Sequence, residues 1–381
     1  MLVQMGAEVS TMPTIRPKRL QPFTNRMIAM ALALSFFGVI GYSLWPAHQT
    51  AQSATQSAAA RDNSAVILMY HHFGKDSVPS TNIRLAQFDA QLDYLAANDF
   101  HIWSLSRLVI AFQNQRPIPD KTVVFTVDDA WISVYQHAIP RFKARGWPVT
   151  IFVNSDAIDK GYTSNMTWAQ MREVQGDGIE FANHSRSHDR LIRRVGESYQ
   201  AWQKRVLDEI QQGQQRLKDE LGADTNHTKL FSYPFGDYST ELADRVRELG
   251  YVGIAQNSGA VNRHSDLRAL MRFPMSEAYA DLDSFKQKVN ALALPVLHVE
   301  PFDPVVRDNP PHLKLTFARP PGPQLQCFNP KGEVLQQRWL SDTTVEIRSE
   351  TPLAAPRSRY ACTQPTSEGR WRWFSHSWVL Q

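Results

Sequence analysis

Cysteine is scarce in this chain. Only two of the 381 residues are cysteines, Cys327 and Cys362, and both lie near the C-terminus. This scarcity excludes a small fold held together by many disulfides. No third ligand lies near the pair at the spacing of a metal motif, which disfavours a metal site there. We expect these cysteines to form one disulfide in an oxidising compartment, the alternative being two buried free thiols.

A strong net charge is also missing. The whole chain carries +4, and residues 1–26 contribute +3 of it, with four basic side chains against Glu8. The other residues are therefore close to neutral overall, which argues against a basic face and a nucleic-acid partner. Residues 1–26 are predicted to be a basic tail on the cytoplasmic side of a membrane.

Residues 27–45 contain no charged side chain. About 20 apolar residues cross a bilayer, whereas the apolar core of a secretory signal is about 7–15 residues long. Because the basic residues precede this segment, the positive-inside rule orients the rest of the chain outwards. We expect a single-pass anchor in the inner (cytoplasmic) membrane, with the following residues in the periplasm or outside the cell. A cleaved signal is the alternative, since residues 57–60 (SAAA) offer small-residue cleavage sites.

The next stretch, residues 46–64, is rich in Ala, Gln, Ser and Thr and predicts a flexible linker. After it, short apolar runs alternate with stretches of helical periodicity. We predict strands at 66–70, 122–127, 149–153, 179–182, 230–233 and 251–255, and helices at 86–97, 197–221 and 239–249. This alternation over residues 65–295 predicts an α/β domain with a parallel sheet, either a barrel or a doubly wound sheet.

Proline dominates the region after this domain. Eight of the 29 residues from 295 to 323 are proline, so residues 296–311 are predicted to be an extended linker. Short β-like runs follow at 312–317, 324–328, 343–348 and 371–379, which predict a small all-β domain over 312–381. In the last run, Trp371 and Trp373 either form a sugar-stacking surface or pack against the preceding domain, and we favour packing.

Polar clusters follow several predicted strands, where β/α enzymes collect their active sites. Asp128 and Asp129 follow one strand, and a metal on one carboxylate would offset their repulsion and leave the other as a base. A turn or helix cap is the alternative. His184 and His188 follow another strand at a spacing that places both imidazoles on one face of a helical turn, as in metal-binding HxxxH pairs.

Two further clusters are weaker signals taken alone. The segment 231–238 (FSYPFGDY) predicts a tight turn that can aim a backbone N–H at a developing oxyanion, although for this segment alone we favour an ordinary turn. His71 and His72 end the first strand, and a histidine there is either a general acid or structural. Two histidines and one aspartate form a three-ligand set that leaves open positions for hydrolysis.

Together these residues resemble a known family. Residues 126–130 (TVDDA) resemble the T-F-D-D-G motif, and 184–188 (HSRSH) match the H-S-x-x-H motif, of the polysaccharide deacetylases of carbohydrate esterase family 4. Residues 232–236 (SYPFG), 67–72 (ILMYHH) and 167–174 (TWAQMREV) resemble the branch that contains the poly-β-1,6-N-acetylglucosamine deacetylases. The resemblance covers about 65–295 and implies an incomplete (β/α) barrel.

The resemblance also implies residue roles. Asp129, His184 and His188 would hold a divalent metal, zinc first, with Co²⁺, Ni²⁺ or Fe²⁺ as alternatives. Asp128 would be the general base, and the Phe235 backbone N–H would help to stabilise the oxyanion.

The general acid depends on the branch. The common arrangement uses a late L-x-H motif, which Leu297 and His298 offer only superficially, because they lie in the predicted linker. The exopolysaccharide branch uses the early strand that ends in Y-H, so we favour His71 over His298. His72 receives no role.

The chain departs from the family pattern at three positions. Val127 replaces the usual Phe, and Ala130 replaces Gly, so a positive φ is not expected at Ala130. Ser232 stands where many relatives have the arginine that orients the base, and Arg272 is a candidate replacement. Among the aromatic residues, Trp131, Trp168 and Tyr233 are candidates for a substrate cleft.

The leading hypothesis is a metal-dependent hydrolase that removes N-acetyl groups from N-acetylhexosamine residues of a cell-envelope or extracellular polysaccharide. The alternative is a non-catalytic polysaccharide-binding or export scaffold with a deacetylase-like domain. A third reading, a hydrolase of small cyclic amides or O-acetyl esters, is disfavoured by the predicted anchor.

Overall fold

The computed structural model describes residues 63–222 and 228–381, which belong to one compact unit. The predicted tail 1–26, the predicted anchor 27–45 and nearly all of the predicted linker 46–64 lie outside the described residues. Within the described part of the chain, no helix is long and apolar enough to span a membrane.

The helices begin and end close to their predicted positions. Predicted starts at 197 and 239 fall one or two residues early, because Ser198 and Ser239 are N-caps whose hydroxyls accept from Ala201 N and Leu242 N. The helices are α1 (Leu85–Ala97), α2 (Leu105–Gln113), α3 (Ile139–Arg145), α4 (Ser155–Asp159), α5 (Trp168–Val174), α6 (Tyr199–Leu221), α7 (Thr240–Glu248) and α8 (Leu282–Val289).

The strands fall into an α/β domain and a β-rich C-terminal region. Those of the domain are β1 (Ser64–Tyr70), β2 (His72–Phe73), β3 (Asn82–Ile83), β4 (His101–Trp103), β5 (Thr122–Val127), β6 (Val149–Val153), β7 (Ile179–Asn183), β8 (Leu230–Ser232), β9 (Val252–Ile254), β10 (Val261–Asn262) and β11 (Phe273–Pro274). Those of the C-terminal region are β12 (Leu292–Ala293), β13 (Val296–Glu300), β14 (Val305–Val306), β15 (His312–Phe317), β16 (Gln326–Phe328), β17 (Gln336–Ser341), β18 (Thr344–Arg348), β19 (Arg357–Pro365) and β20 (Trp371–Leu380).

The main sheet has the strand order β10-β1-β5-β6-β7-β8-β9, and all neighbours from β1 to β9 are parallel. Every residue of β5 and β6 is buried, because a strand covered on both faces needs a continuous apolar run. The sheet curls into an incomplete barrel, as the resemblance implied, and carries its helices outside. The carboxyl ends of the parallel strands therefore meet at one rim.

The C-terminal region contains two sheets. One has the order β12-β20-β19-β16 with β14 also paired to β20, and the other has the order β13-β15-β18-β17. Cys327 and Cys362 are register partners on β16 and β19 and form a disulfide. Trp373 packs edge-on against Phe273 of the barrel, with ring centroids 5.2 Å apart, so this face of β20 supports packing rather than sugar stacking.

The predicted linker 296–311 needs correction. Residues 296–300 form β13, which pairs antiparallel with β15 at the edge of its sheet, and residues 305–306 form β14. Pro295 and Pro301 flank β13 instead of interrupting it, so the missing proline N–H groups cost no ladder bonds within it. The stretch joins the C-terminal region.

Candidate active site

The rim of the barrel brings the predicted polar clusters together. His71 follows β1, Asp128 and Asp129 follow β5, His184 follows β7, and Ser232 ends β8. Because these strands are parallel and neighbouring or nearly so, the residues after them converge at the carboxyl edge. The family motifs therefore form one site although more than 100 residues separate the first from the last.

Asp129, His184 and His188 converge on a common point. The Asp129 Oδ1 atom lies 3.5 Å from His184 Nε2 and 3.4 Å from His188 Nε2. Ligands held about 2.0–2.2 Å from a tetrahedral metal ion are about 3.3–3.6 Å from each other, which matches these spacings. Oδ1 is buried and has no hydrogen-bond partner among the described residues, so the donor set fits a divalent cation.

The tautomer of His184 suits a metal ligand. Its Nδ1 lies 2.8 Å from the carbonyl oxygen of Ser232 and donates to it, which leaves Nε2 unprotonated and directed at Asp129. Burial lowers the pKa of His184 to about 4, although the carboxylates of Asp128 and Asp129 act in the opposite direction. The imidazole is therefore neutral near pH 7.

The predicted helical turn at 184–188 is wrong, because the segment is a loop. Ser185 and His188 have φ values of 65° and 60°, in the left-handed region. The Asn183 side chain accepts from Ser185 N at 2.8 Å, and the Ser185 hydroxyl accepts from His188 N at 3.0 Å. These local side-chain bonds replace the helical bonds and still direct both imidazoles at one point.

Glu209 of α6 supports the loop 184–188, although it belongs to none of the predicted motifs. Its buried carboxylate accepts from Ser187 N and Ser187 Oγ, both at 2.8 Å, and from Arg186 Nη2 at 3.2 Å. Gly213 lies one turn further on, where a Cβ would be 2.9 Å from the carbonyl carbon of Ser185. An acidic residue on the apolar face of a predicted helix, in line with Trp202 and Val206, was the available signal.

Asp128 and Arg272 form a fully buried ion pair. Arg272 Nη1 donates to Asp128 Oδ1 and Nη2 donates to Oδ2, both at 2.8 Å. Arg272 also donates to Ala255 O, Thr126 Oγ1 and Ser232 Oγ, at 2.9, 3.0 and 3.0 Å. Burial alone would raise the pKa of Asp128, but the charge and hydrogen bonds of Arg272 hold it well below its usual value. The candidate for orienting the base thus lies against Asp128.

His71 lies on the other side of Asp128. Its Nε2 is 3.9 Å from Asp128 Oδ2, and its side chain is partly exposed. His298 lies on the exposed edge strand β13 of the C-terminal region. The structure therefore brings His71, and not His298, next to the predicted base.

The Pro-Phe-Gly segment forms a single 3₁₀ turn after β8. Phe235 has φ 61° and ψ 5°, a left-handed conformation that is uncommon for a non-glycine residue. Its ring is 40% exposed and packs edge-on against His188, with centroids 4.5 Å apart. Gly236 has φ 72°, and a Cβ there would meet Gln256 at 2.6 Å. The turn thus packs the Phe235 side chain against the candidate metal ligand His188.

The expectation for Ala130 is wrong. Asp129 and Ala130 both have positive φ, 72° and 47°. Two bonds from the next loop hold them: Asn165 Nδ2 donates to Asp129 O at 3.0 Å, and Met166 N donates to Ala130 O at 2.9 Å. The surroundings over-determine a backbone that Ala does not favour by itself.

The three aromatic residues predicted to line a substrate cleft lie in different places. Trp131 lies at the site: its Nε1 donates to Asp129 Oδ2 at 3.2 Å, and its ring stacks on His72 at 4.4 Å. Trp168 is instead buried at the start of α5 and donates to Asp159. Tyr233 is fully buried and its hydroxyl donates to Arg268 O at 2.7 Å. Both of these aromatic rings are buried in the hydrophobic clusters of the domain.

Comparison with known proteins agrees with this geometry. Residues 115–254 match the family model described as polysaccharide deacetylase. YxkH of Bacillus subtilis (strain 168), named as a polysaccharide deacetylase, is 28% identical over 211 residues, which are 55% of this chain and 71% of that protein. The poly-β-1,6-N-acetyl-D-glucosamine N-deacetylase of Escherichia coli (strain K12) is 24% identical over 141 residues, which are 32% of this chain and 21% of that protein.

Solved structures show the same fold. The deacetylase PplD of Streptococcus pyogenes superposes with a TM-score of 0.52 at 24% identity, over 59% of this chain and 98% of that one. IcaB from Ammonifex degensii superposes with a TM-score of 0.50 at 25% identity, over 59% of this chain and 95% of that one. Residues 115–254 of this chain therefore match the polysaccharide deacetylase family, whose members are hydrolases acting on carbon–nitrogen bonds, and the domain around them has the fold of these solved structures.

Proposed function

We propose that the protein is a divalent-metal-dependent deacetylase that removes N-acetyl groups from N-acetylhexosamine residues of a cell-envelope or extracellular polysaccharide. The observation that carries this proposal is the buried, unpartnered Oδ1 of Asp129, which faces the Nε2 atoms of His184 and His188 beside the Arg272-bound carboxylate of Asp128. A site that only bound glycans would not need a carboxylate held ionised next to three metal-ligand atoms.

Asp129, His184 and His188 would hold the metal, with zinc as the first candidate. A bound divalent cation supplies Lewis acidity, which polarises an acyl oxygen and makes water a stronger acid. Trp131 donates to Asp129 Oδ2 and thereby leaves Oδ1 free to bind. Glu209 holds the loop between the two histidines through Ser187. The carbonyl oxygen of Ser232 accepts from His184 Nδ1 and thereby fixes the tautomer that directs Nε2 at the metal position.

Asp128 is suited to take a proton from the attacking water. Arg272 keeps it ionised near pH 7, so the carboxylate is free to accept a proton, while its low pKa makes it a weaker base than an ordinary aspartate. His71 Nε2 lies 3.9 Å from Asp128 Oδ2 and is partly exposed, so it can give a proton to the leaving amine. The Phe235 N–H is the candidate donor to the oxyanion, because its turn packs beside His188.

A polymeric substrate is favoured by the relatives and by the site. The named relatives include poly-β-1,6-N-acetyl-D-glucosamine N-deacetylases. The exposed ring of Phe235 offers an apolar surface for a sugar ring beside the ligands. The disulfide between Cys327 and Cys362 supports our proposal that this part of the chain works in an oxidising compartment outside the cytoplasm.

The test is acetate release by the purified chain from N-acetylglucosamine oligomers of β-1,4 and β-1,6 linkage. We expect release that is abolished by EDTA, restored by Zn²⁺ and lost in Asp128→Asn, with metal content unchanged in that variant. The linkage that is cleaved would narrow the substrate. Bound metal without release from either oligomer would refute these substrates, and glycan binding without release would favour the scaffold alternative.

A further inference from the structure

The turn that carries Phe235 is contacted by the C-terminal region at three points. We refer to residues 233–240 as the Phe235 loop. Arg357 of β19 reaches it from one sheet, and Phe302 and Asp303 reach it from the segment between β13 and β14. These contacts come from a part of the chain that lies outside the region matched by the family model, residues 115–254.

The first contact is an ion pair. Arg357 Nη2 donates to the buried carboxylate of Asp237 at 2.5 Å, directly after the Pro-Phe-Gly turn. Arg190 approaches the same carboxylate from the metal-ligand loop, at 3.7 Å. The guanidinium carbons of Arg357 and Arg190 lie 5.5 and 5.4 Å from the centroid of the Phe235 ring, within cation–π range. Arg357 therefore contacts both the carboxylate of Asp237 and the ring of Phe235.

The other contacts hold the far end of the loop. Asp303 Oδ2 accepts from Thr240 N at 3.0 Å, at the first turn of α7, while Oδ1 accepts from Val305 N at 2.9 Å. The ring of Phe302 packs on Tyr238 with centroids 5.4 Å apart, and Arg268 covers Phe302 at 3.9 Å. The C-terminal region thus anchors the second half of the loop, from Asp237 to Thr240.

Such anchoring matters because the turn is strained. A non-glycine residue in the left-handed region is sterically disfavoured and persists only where the surroundings over-determine it. Phe235, at φ 61°, is such a residue. A turn freed from Arg357 and Asp303 would populate relaxed conformations in which the Phe235 N–H points elsewhere.

We propose that the C-terminal β region is a working part of the active site, in which Arg357 and Asp303 are positioning residues that hold the Phe235 N–H in its productive direction. This inference rests on the proposed deacetylase function for its kinetic consequence. An oxyanion donor acts in the transition state more than on bound substrate, so loosening it lowers kcat and leaves KM nearly unchanged. Losing a whole donor costs about 10²–10³-fold, and we expect about a tenfold loss for one that is displaced part of the time.

The experiment compares Arg357→Gln with Arg359→Gln, which changes an exposed arginine on the same strand. Three quantities are measured on the full chain: kcat and KM on the N-acetylglucosamine oligomers, zinc content, and amide hydrogen exchange of the peptides covering 231–238 and 184–188. For Arg357→Gln we expect about tenfold lower kcat, unchanged KM and zinc content, and faster exchange only at 231–238. Arg357→Lys should restore part of kcat, because lysine can still pair with Asp237. Arg359→Gln should behave as wild type.

The proposal would be overturned if Arg357→Gln kept the kcat of the wild type and the same amide hydrogen exchange at 231–238. It would also be overturned if the loss of activity came with a fall in zinc content. If Arg357→Gln does not fold, Asp303→Ala, matched with the exposed Asp308→Ala, carries the same prediction. A wild-type chain that releases no acetate would refute the proposed function. The exchange at 231–238 would then still decide whether the C-terminal region holds the turn.

Discussion

Replacing Arg272 and replacing Asp128 should lower the free energy of unfolding by different amounts. Both side chains are fully buried, so neither charge can be hydrated if its partner is removed. In Arg272→Met, the carboxylate of Asp128 keeps one weak donor, Ser232 Oγ at 3.4 Å. In Asp128→Asn, the guanidinium keeps Ala255 O, Thr126 Oγ1 and Ser232 Oγ as acceptors.

The magnitudes follow from these partners. Removing one member of a buried ion pair costs about 3–5 kcal/mol when the other charge is left uncompensated, and we expect Arg272→Met in this range. Asp128→Asn loses bonds to a charged group but leaves arginine with three acceptors, so about 1.5–3 kcal/mol is expected. The double variant, Asp128→Asn with Arg272→Met, buries no charge and should cost at least about 1 kcal/mol less than the sum.

The assay is urea denaturation of wild type and the three variants at pH 7. The pKa of Asp128 in the folded protein lies below its unfolded value of about 3.9, so its contribution is complete at pH 7 and is lost as the pH falls below about 4. The gap between wild type and Asp128→Asn should therefore narrow on acidification. Equal costs for the two single variants, or strict additivity in the double variant, would refute this account of the pair.

Three further predictions concern residues outside the catalytic pair. Glu209→Gln should weaken zinc binding about 10–100-fold, measured by chelator competition, since it loosens the loop between the histidine ligands, and unchanged affinity would contradict this. Gly213→Ala, usually stabilising by about 1 kcal/mol within a helix, should lower the melting temperature, because its Cβ would meet the Ser185 backbone at 2.9 Å. Burial lowers the pKa of Lys288 in α8 to about 8, with Asp281 acting in the opposite direction. Its buried charge therefore destabilises the folded state fully below pH 8, and this destabilisation disappears as the pH rises towards 10.5. The unfolding free energy of Lys288→Met relative to wild type should therefore fall by about 3 kcal/mol between pH 7 and pH 10.5, and a constant difference would exclude a buried charge.

Local chemistry made much of the barrel predictable. Strands 122–127 and 149–153 were predicted with the observed bounds, because fully buried parallel strands need uninterrupted apolar runs. The helical period of residues 197–221 likewise predicted α6, whose buried face carries Trp202, Val206 and Ile210. Errors arose where proline was treated as the mark of a linker, although the prolines at 295 and 301 only border β13.

The site was predictable in residue type but not in backbone shape. The family resemblance implied that Asp129, His184 and His188 form one ligand set, and parallel strands of one sheet carry them to one rim. The left-handed residues at Ala130, Ser185 and Phe235 were not predictable, because side-chain bonds and contacts that the motifs do not reveal stabilise conformations that the residues disfavour alone.

The sequence by itself predicted the order of the elements, because periodicity is recorded along the chain. Its motifs also carried the family resemblance, which implied the ligand residues of the candidate metal site. The tertiary structure alone decided which arginine meets Asp128, that Glu209 supports the histidine loop, and that Trp168 and Tyr233 lie in the core. It also placed Arg357 and Asp303 of the C-terminal region against the Phe235 loop. The contacts of Asp303 with Thr240, Arg357 with Asp237 and Arg272 with Asp128 join residues 63, 120 and 144 positions apart, and their energies depend on distance and burial, which no local pattern in the chain records.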